Sequence, residues 1–453
     1  MKLPSQLRVN VITSLGSTVV STLLMCIAYP VYLHFLAFEQ YGLWVLLATV
    51  MTMAQLGNFG VSSALVKLIS EDFTKGDIEG VYQYVNCGVA WLSASGAVLG
   101  CAVLMLRHAI VALFGLGGAN ADLAFSLLPY VYTISLYSLV ADALSSAVAG
   151  LGRYDLVSYS QVTSQMLTVV ISVVLLNWHF GIWSLVIGNA AGPLLLSLWS
   201  LIVIRRVTRS VSLLRLTWDR RRLRRVLNFG SPIFGATIIH TLLISMNKVF
   251  VARFAGTAAV PLYEISFVTS FKIRSLFESG FRSLAPEFSR LHVLAPTNVH
   301  RSLTAIERKS STVLRYGGTL VFLTAFLFAR FGMKLWLGDR FAPELPTVFR
   351  VMLAGVFVSL WNVQPWYTLL GFGRNTQLLF AASVMALTNV GFVLAWPRLV
   401  NQAPTLMTVV IGTSLGFLMC TVYLLGEAAK LRSELAAKVP RVAIRRPLFP
   451  SAS

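Results

Sequence analysis

The chain has 453 residues, of which 56% are apolar and only 12% charged, and its mean hydropathy is +0.74. Those proportions exclude an ordinary soluble domain and indicate a polytopic membrane protein. The formal net charge of +20 sits mostly in loops on one side of the predicted spans, which argues against nucleic acid as a partner and makes the charge a determinant of topology and of contact with anionic lipid.

Spanning a bilayer takes roughly 20 apolar residues, and twelve segments are predicted to do so. Spans one and two, 9–36 and 41–68, fall in stretches without Asp, Glu, Lys or Arg from Val9 to Phe38 and from Gln40 to Val66. Spans three and four, 81–106 and 122–149, flank a Gly/Ala-rich loop at 107–121. Leu156 to Ile204 is again free of all four charged types and is long enough for two spans, 156–177 and 182–204. They turn at Asn177-Trp178-His179-Phe180-Gly181, a polar and aromatic mixture suited to the interface. The remaining six are 227–252, 260–288, 310–331, 346–370, 376–396 and 404–427. The eighth would fail a hydropathy threshold and is included because the chain repeats itself.

Two halves align at a spacing of 221 or 222 residues. Tyr41 matches Tyr263, Phe59 matches Phe281, and Gly150-Leu151-Gly152-Arg153-Tyr154 matches Gly371-Phe372-Gly373-Arg374-Asn375. Six spans per half is even, so both halves enter the membrane in the same direction as parallel repeats. The predicted fold is all-α integral membrane, with twelve transmembrane helices in two pseudo-symmetric six-helix lobes around a central cavity. The N-terminal lobe is 1–205 and the C-terminal lobe 227–428, joined by a basic linker, 206–226, and followed by a basic tail, 429–453. Nine arginines lie between 205 and 225, and Lys2, Arg8 and the tail fall on the same side, which the positive-inside rule makes cytoplasmic. Leu213 to Val226 reads either as a basic amphipathic surface helix or as a solvated linker. Span one is too long for a cleavable signal peptide. Cys26, Cys87, Cys101 and Cys420 all lie in apolar runs, so neither a disulfide nor a metal site is expected.

Polar stripes mark candidate cavity faces. Asn10 and Ser14 recur at helical spacing in span one, as do Gln55 and Asn58 in span two, either facing a cavity or packing helices together. In span seven His240, Asn247 and Lys248 share a face. Span eight carries Glu264, Lys272, Arg274, Glu278 and Arg282, an expensive content at membrane depth that points to a wet, cation-rich chamber for an anion. Arg274, Glu278 and Arg282 stand at i, i+4 and i+8, so they pair internally while facing one target, whereas Lys272 lies across the helix. Arg274, Arg282 and Lys248 are the candidate anion ligands. Asp142, Glu264 and Glu278 are candidate coupling groups, with hydrogen bonding to Ser145 or Tyr137 the competing role for Asp142. No metal motif, nucleotide-binding loop or catalytic constellation occurs, so no enzyme activity and no cofactor are expected.

Phe38-Glu39-Gln40-Tyr41-Gly42-Leu43-Trp44 and Leu56-Gly57-Asn58-Phe59-Gly60-Val61 resemble the opening of the polysaccharide-transport family. These are the flippases of the multidrug/oligosaccharidyl-lipid/polysaccharide exporter superfamily. Met246-Asn247-Lys248 through Tyr263-Glu264-Ile265, and Leu284-Ala285-Pro286-Glu287-Phe288-Ser289, are similar to later passages of the same family, which often has Asp where Asn247 stands here. The resemblance implies a bacterial inner-membrane protein, both termini cytoplasmic, that flips an undecaprenyl-pyrophosphate-linked repeat unit by alternating access. Its partners would be that lipid-linked oligosaccharide, membrane lipid and polysaccharide polymerase machinery. Asn10, Ser14, Gln55, Asn58, His240 and Asn247 would then face the glycan. A multidrug-type cation antiporter and a polysaccharide polymerase or ligase are the alternatives.

Overall fold

The computed structural model describes residues 5–208, 219–282, 312 and 314–437. Helix α1, Ser5–Ala54, is two spans in one: Ala37 leaves helical geometry at φ 55°, ψ 177°. Tyr29 and Tyr41 flank the break with ring centroids 6.1 Å apart, whereas twelve residues of straight helix would separate them by about 18 Å. The chain therefore doubles back at Ala37. Its second limb passes through a 3-10 turn, Gln55–Asn58, and through Phe59 and Gly60 at positive φ into α2, Val61–Thr74.

Four further helices complete the first lobe: α3 Ile78–Met105, α5 Gly118–Gly150, α6 Tyr154–Asn177 and α7 Trp183–Thr208, with a short α4, Arg107–Leu113, on the loop between α3 and α5. The second lobe holds α8 Arg220–Ala255 and α9 Val260–Arg282. After them come two broken spans, α10 Thr319–Leu327 with α11 Ala329–Leu337, and α12 Leu345–Leu360 with α13 Val363–Gly371. These bend by 65° and 40° at their breaks. Helices α14, Asn375–Val400, and α15, Leu406–Ala437, close the lobe.

Among the described residues eight helices are long and apolar enough to cross a membrane, and each bent pair adds one span. The doubled helix α1 supplies another, and α9 is the twelfth. As expected, α9 is absent from the apolar set, because five charged residues lower its hydropathy. The protein is thus a multi-pass, twelve-helix, two-lobe membrane protein.

The internal repeat has a physical signature at its clearest match. Gly152 and Gly373 end corresponding helices at φ 79° and 72°, a left-handed geometry that side chains resist. Arg153 then pairs with Asp155 at 3.0 Å, whereas Arg374 pairs with Glu434 at the far end of α15.

The lobes touch at both membrane faces. At the face away from the basic loops, Arg340 donates to the His34 carbonyl at 2.9 Å and Arg253 to the Ala112 carbonyl at 3.4 Å. Gly42 lies so close to Thr257 that a Cβ on it would stand 2.0 Å from the Thr257 carbonyl oxygen. At the basic face the first turns of α8 reach the first lobe, with Arg225 on Glu71 at 3.1 Å and Arg222 on Asp72 at 3.6 Å. Of the predicted linker, 206–208 finish α7 and Arg220 onward is continuous helix with span seven; residues 209–218 lie outside the described residues.

Candidate functional site

Helix α9 brings two charged clusters to membrane depth, ten residues and so about 15 Å apart along its axis. The one at Arg274 opens onto a chamber of about 440 Å³ walled by α8, α9, α12, α13, α14 and α15, all in the second lobe. Glu278, one turn on, meets the guanidinium at 3.2 Å, the i, i+4 pairing that the sequence predicts. Asn362 accepts from the other terminal nitrogen of Arg274 at 3.3 Å and donates to Thr421 at 3.2 Å. Tyr367 donates to Glu278 at 3.0 Å, and the Phe271 ring lies 5.4 Å under the guanidinium.

Guanidinium carries five N–H donors. Glu278 and Asn362 engage the two terminal nitrogens, and Arg274 Nε is buried with no hydrogen-bond partner among the described residues. The group is therefore charged, desolvated and only partly satisfied, the condition in which a bidentate oxyanion binds well. His240 lines the same chamber, and its ring surface is open to it.

The second cluster is a closed one. Lys248 meets Glu264 at 3.0 Å with both side chains largely buried, and Glu264 lies close enough to Tyr29 and Tyr41 of the first lobe to act on them electrostatically. Lys248 does not line the Arg274 chamber. The expectation that Lys248 and Arg274 grip one anion is thus corrected, because Lys248 is held by Glu264, ten residues along α9 from Arg274, and stands outside the chamber that Arg274 lines.

Other predicted residues bond close to their own positions or stand apart from the chamber. Asn247 is buried and donates to Tyr263 at 3.0 Å and Thr413 at 3.1 Å, while its side-chain oxygen has no partner among the described residues. Asn58 bonds Ser62 at 2.7 Å within its own turn. Gln55 lies beside Asp142, and the Tyr137 hydroxyl donates to the Ala190 carbonyl. Lys272 has no ion-pair partner among the described residues. The side chains of Asn10, Ser14 and Arg282 lie outside the described residues, although all three sit in helices.

Asn362 and Tyr367 were not legible as site residues. The one available signal was a polar Trp361-Asn362 pair inside an apolar span, at what proves to be a 40° break.

With this geometry the chain is similar in fold to several solved transporters. It matches lipid II flippase MurJ in an inward closed conformation with a TM-score of 0.72 at 13% identity, covering 94% of this chain and 90% of that one. An inward-facing multidrug resistance MATE family transporter of the MOP superfamily gives 0.68 at 16% identity, covering 94% and 99%. A Vibrio cholerae MATE transporter gives 0.66 at 14%, covering 95% and 98%. No curated protein matches the sequence. Residues 34–341 match the family described as polysaccharide biosynthesis protein. With more than half of its length covered by that match, the chain belongs to the polysaccharide biosynthesis protein family.

Proposed function

We propose that this protein flips a polyprenyl-pyrophosphate-linked oligosaccharide, of the undecaprenyl type, across the bacterial inner membrane for surface polysaccharide assembly, with both termini in the cytoplasm. The observation that carries the reading is Arg274, a partly satisfied guanidinium at membrane depth facing a chamber of about 440 Å³ in a chain of this family and fold. A pyrophosphate leaving water needs fixed cationic donors, and an arginine prepaired with a carboxylate supplies them in exchangeable form. Substrate phosphate would displace Glu278, which Tyr367 retains nearby. Arg282, two turns further along α9, would add a second cation.

Rocking of the two lobes would open the chamber to one face and then the other. In the state described, contacts at Arg340, Arg253 and Gly42 hold the lobes together at the face away from the basic loops.

The test is transfer of a fluorescent undecaprenyl-pyrophosphate oligosaccharide between leaflets of proteoliposomes containing the purified chain. The reading predicts protein-dependent transfer with the sugar chain length unchanged. No transfer, with export of organic cations instead, would favour an antiporter; sugar chains that lengthen would indicate a polymerase.

A further inference from the structure

The first lobe contains a chamber of its own, about 410 Å³, that the anion reading does not use. It is the counterpart of the Arg274 chamber: Ser138 and Gln161 line it, and Ser359 and Ala382, each 221 residues later, line the other. Yet no Asp, Glu, Lys, Arg or His lines it. Its walls combine aromatic side chains, including Tyr32 and Trp44, with the amides of Gln161, Gln165 and Asn189.

Gln161 and Gln165 stand one turn apart on α6, and neither has a hydrogen-bond partner among the described residues. Asn189 uses one amide proton on the Leu185 carbonyl, at 2.9 Å. Each amide offers both donors and an acceptor. Free amides inside a membrane protein require a ligand or water, so the chamber does not suit an isoprenoid tail. The absence of any lining cation disfavours phosphate, and the absence of a carboxylate disfavours an organic cation. A pyranose fits both kinds of wall: its C–H face packs on aromatic rings, and its hydroxyls both donate and accept along the rim.

We propose that this chamber binds an uncharged sugar ring of the lipid-linked substrate, with Gln161 and Gln165 as its hydrogen-bonding edge and Tyr32 and Trp44 as its stacking wall. The inference rests on the flippase reading and deepens it, assigning the glycan to residues other than the Gln55 and Asn58 stripe. Through Tyr29 and Tyr41, which also line it, the chamber borders Glu264 of the second lobe, so a bound sugar would lie next to the lobe boundary.

The test uses the full chain in lipid nanodiscs and two probes: undecaprenyl pyrophosphate, and the same lipid bearing one N-acetylhexosamine. The sugar-bearing lipid should bind the wild type about tenfold tighter. In Gln161→Ala/Gln165→Ala that advantage should fall below about twofold, with binding of the bare lipid unchanged. Trp44→Phe, which keeps the packing, should reduce it by about threefold. An advantage that persists in the double variant overturns the inference while leaving the flippase reading intact. Binding of neither lipid by the wild type overturns both. Tetraphenylphosphonium binding that is lost in the double variant, with no sugar advantage, would make this a cation chamber instead.

Discussion

Where the second span of the first lobe breaks into the 3-10 turn Gln55–Asn58, its counterpart in the second lobe runs on as unbroken helix and carries Arg274 and Glu278. The two chambers repeat that contrast: aromatic rings and amides line both, and only the second adds an arginine, a glutamate and a histidine. Backbone devices needed by both lobes are duplicated, as at Gly152 and Gly373. Charge is not duplicated, because at membrane depth it is tolerated only where each cation has a partner or a ligand. Symmetry here belongs to the scaffold, and the asymmetry lies in the charge.

The strongest way to break that contrast is Arg274→Ala. It strands Glu278 and removes the proposed anion ligand, so translocation in proteoliposomes should fall about a hundredfold or more, and stability by about 3 kcal/mol. Arg274→Gln/Glu278→Gln removes both charges and should recover most of the stability but none of the transport. Recovered transport in the double variant would mean that the pair is purely structural.

Next in size is the second cluster. Lys248→Met leaves Glu264 buried beside Tyr29 and Tyr41 and should cost about 2–3 kcal/mol, read as a lower melting temperature in detergent. Lys248→Met/Glu264→Gln should regain most of it and retain transport. A stable double variant that no longer transports would restore Lys248 to the list of anion ligands.

The duplicated turns should respond alike. Gly152→Ala and Gly373→Ala each force a side chain into left-handed geometry, at about 1 kcal/mol apiece in thermal unfolding. Clearly unequal values would show that the two turns are not equivalent.

The smallest effect concerns the ion pair beside the first turn. The Arg153 guanidinium, hydrogen-bonded to Asp155, holds that carboxyl below its usual range. Its stabilisation is therefore present above the unfolded carboxylate value of about 4 and is lost as pH falls through the lowered folded value. Asp155→Asn should lower stability by under about 1 kcal/mol at pH 7, and the difference from wild type should vanish in acid.

Much of the scaffold was legible in the sequence. Charge-free runs gave the apolar spans, and the repeat supplied the charged α9, which hydropathy alone omits. The Arg274–Glu278 pair was legible because i, i+4 contacts follow from helix geometry. Contacts between helices were not. Nothing in the spacing of Lys248 and Glu264 specifies that they meet across the turn between α8 and α9, and so the sequence made Lys248 a free cation. The local bond of Asn58 was hidden for a related reason, since a helix break lets a polar residue pair within its own segment, here with Ser62. The sugar chamber draws on five separate spans, and no one of them carries its pattern.

Whether the second lobe holds a phosphate can be measured without any variant. Binding of undecaprenyl pyrophosphate and of undecaprenol to the wild-type chain in nanodiscs should differ by about a hundredfold or more in favour of the pyrophosphate. Equal affinity for the two lipids would contradict the account, because Arg274 would then be contributing nothing to recognition.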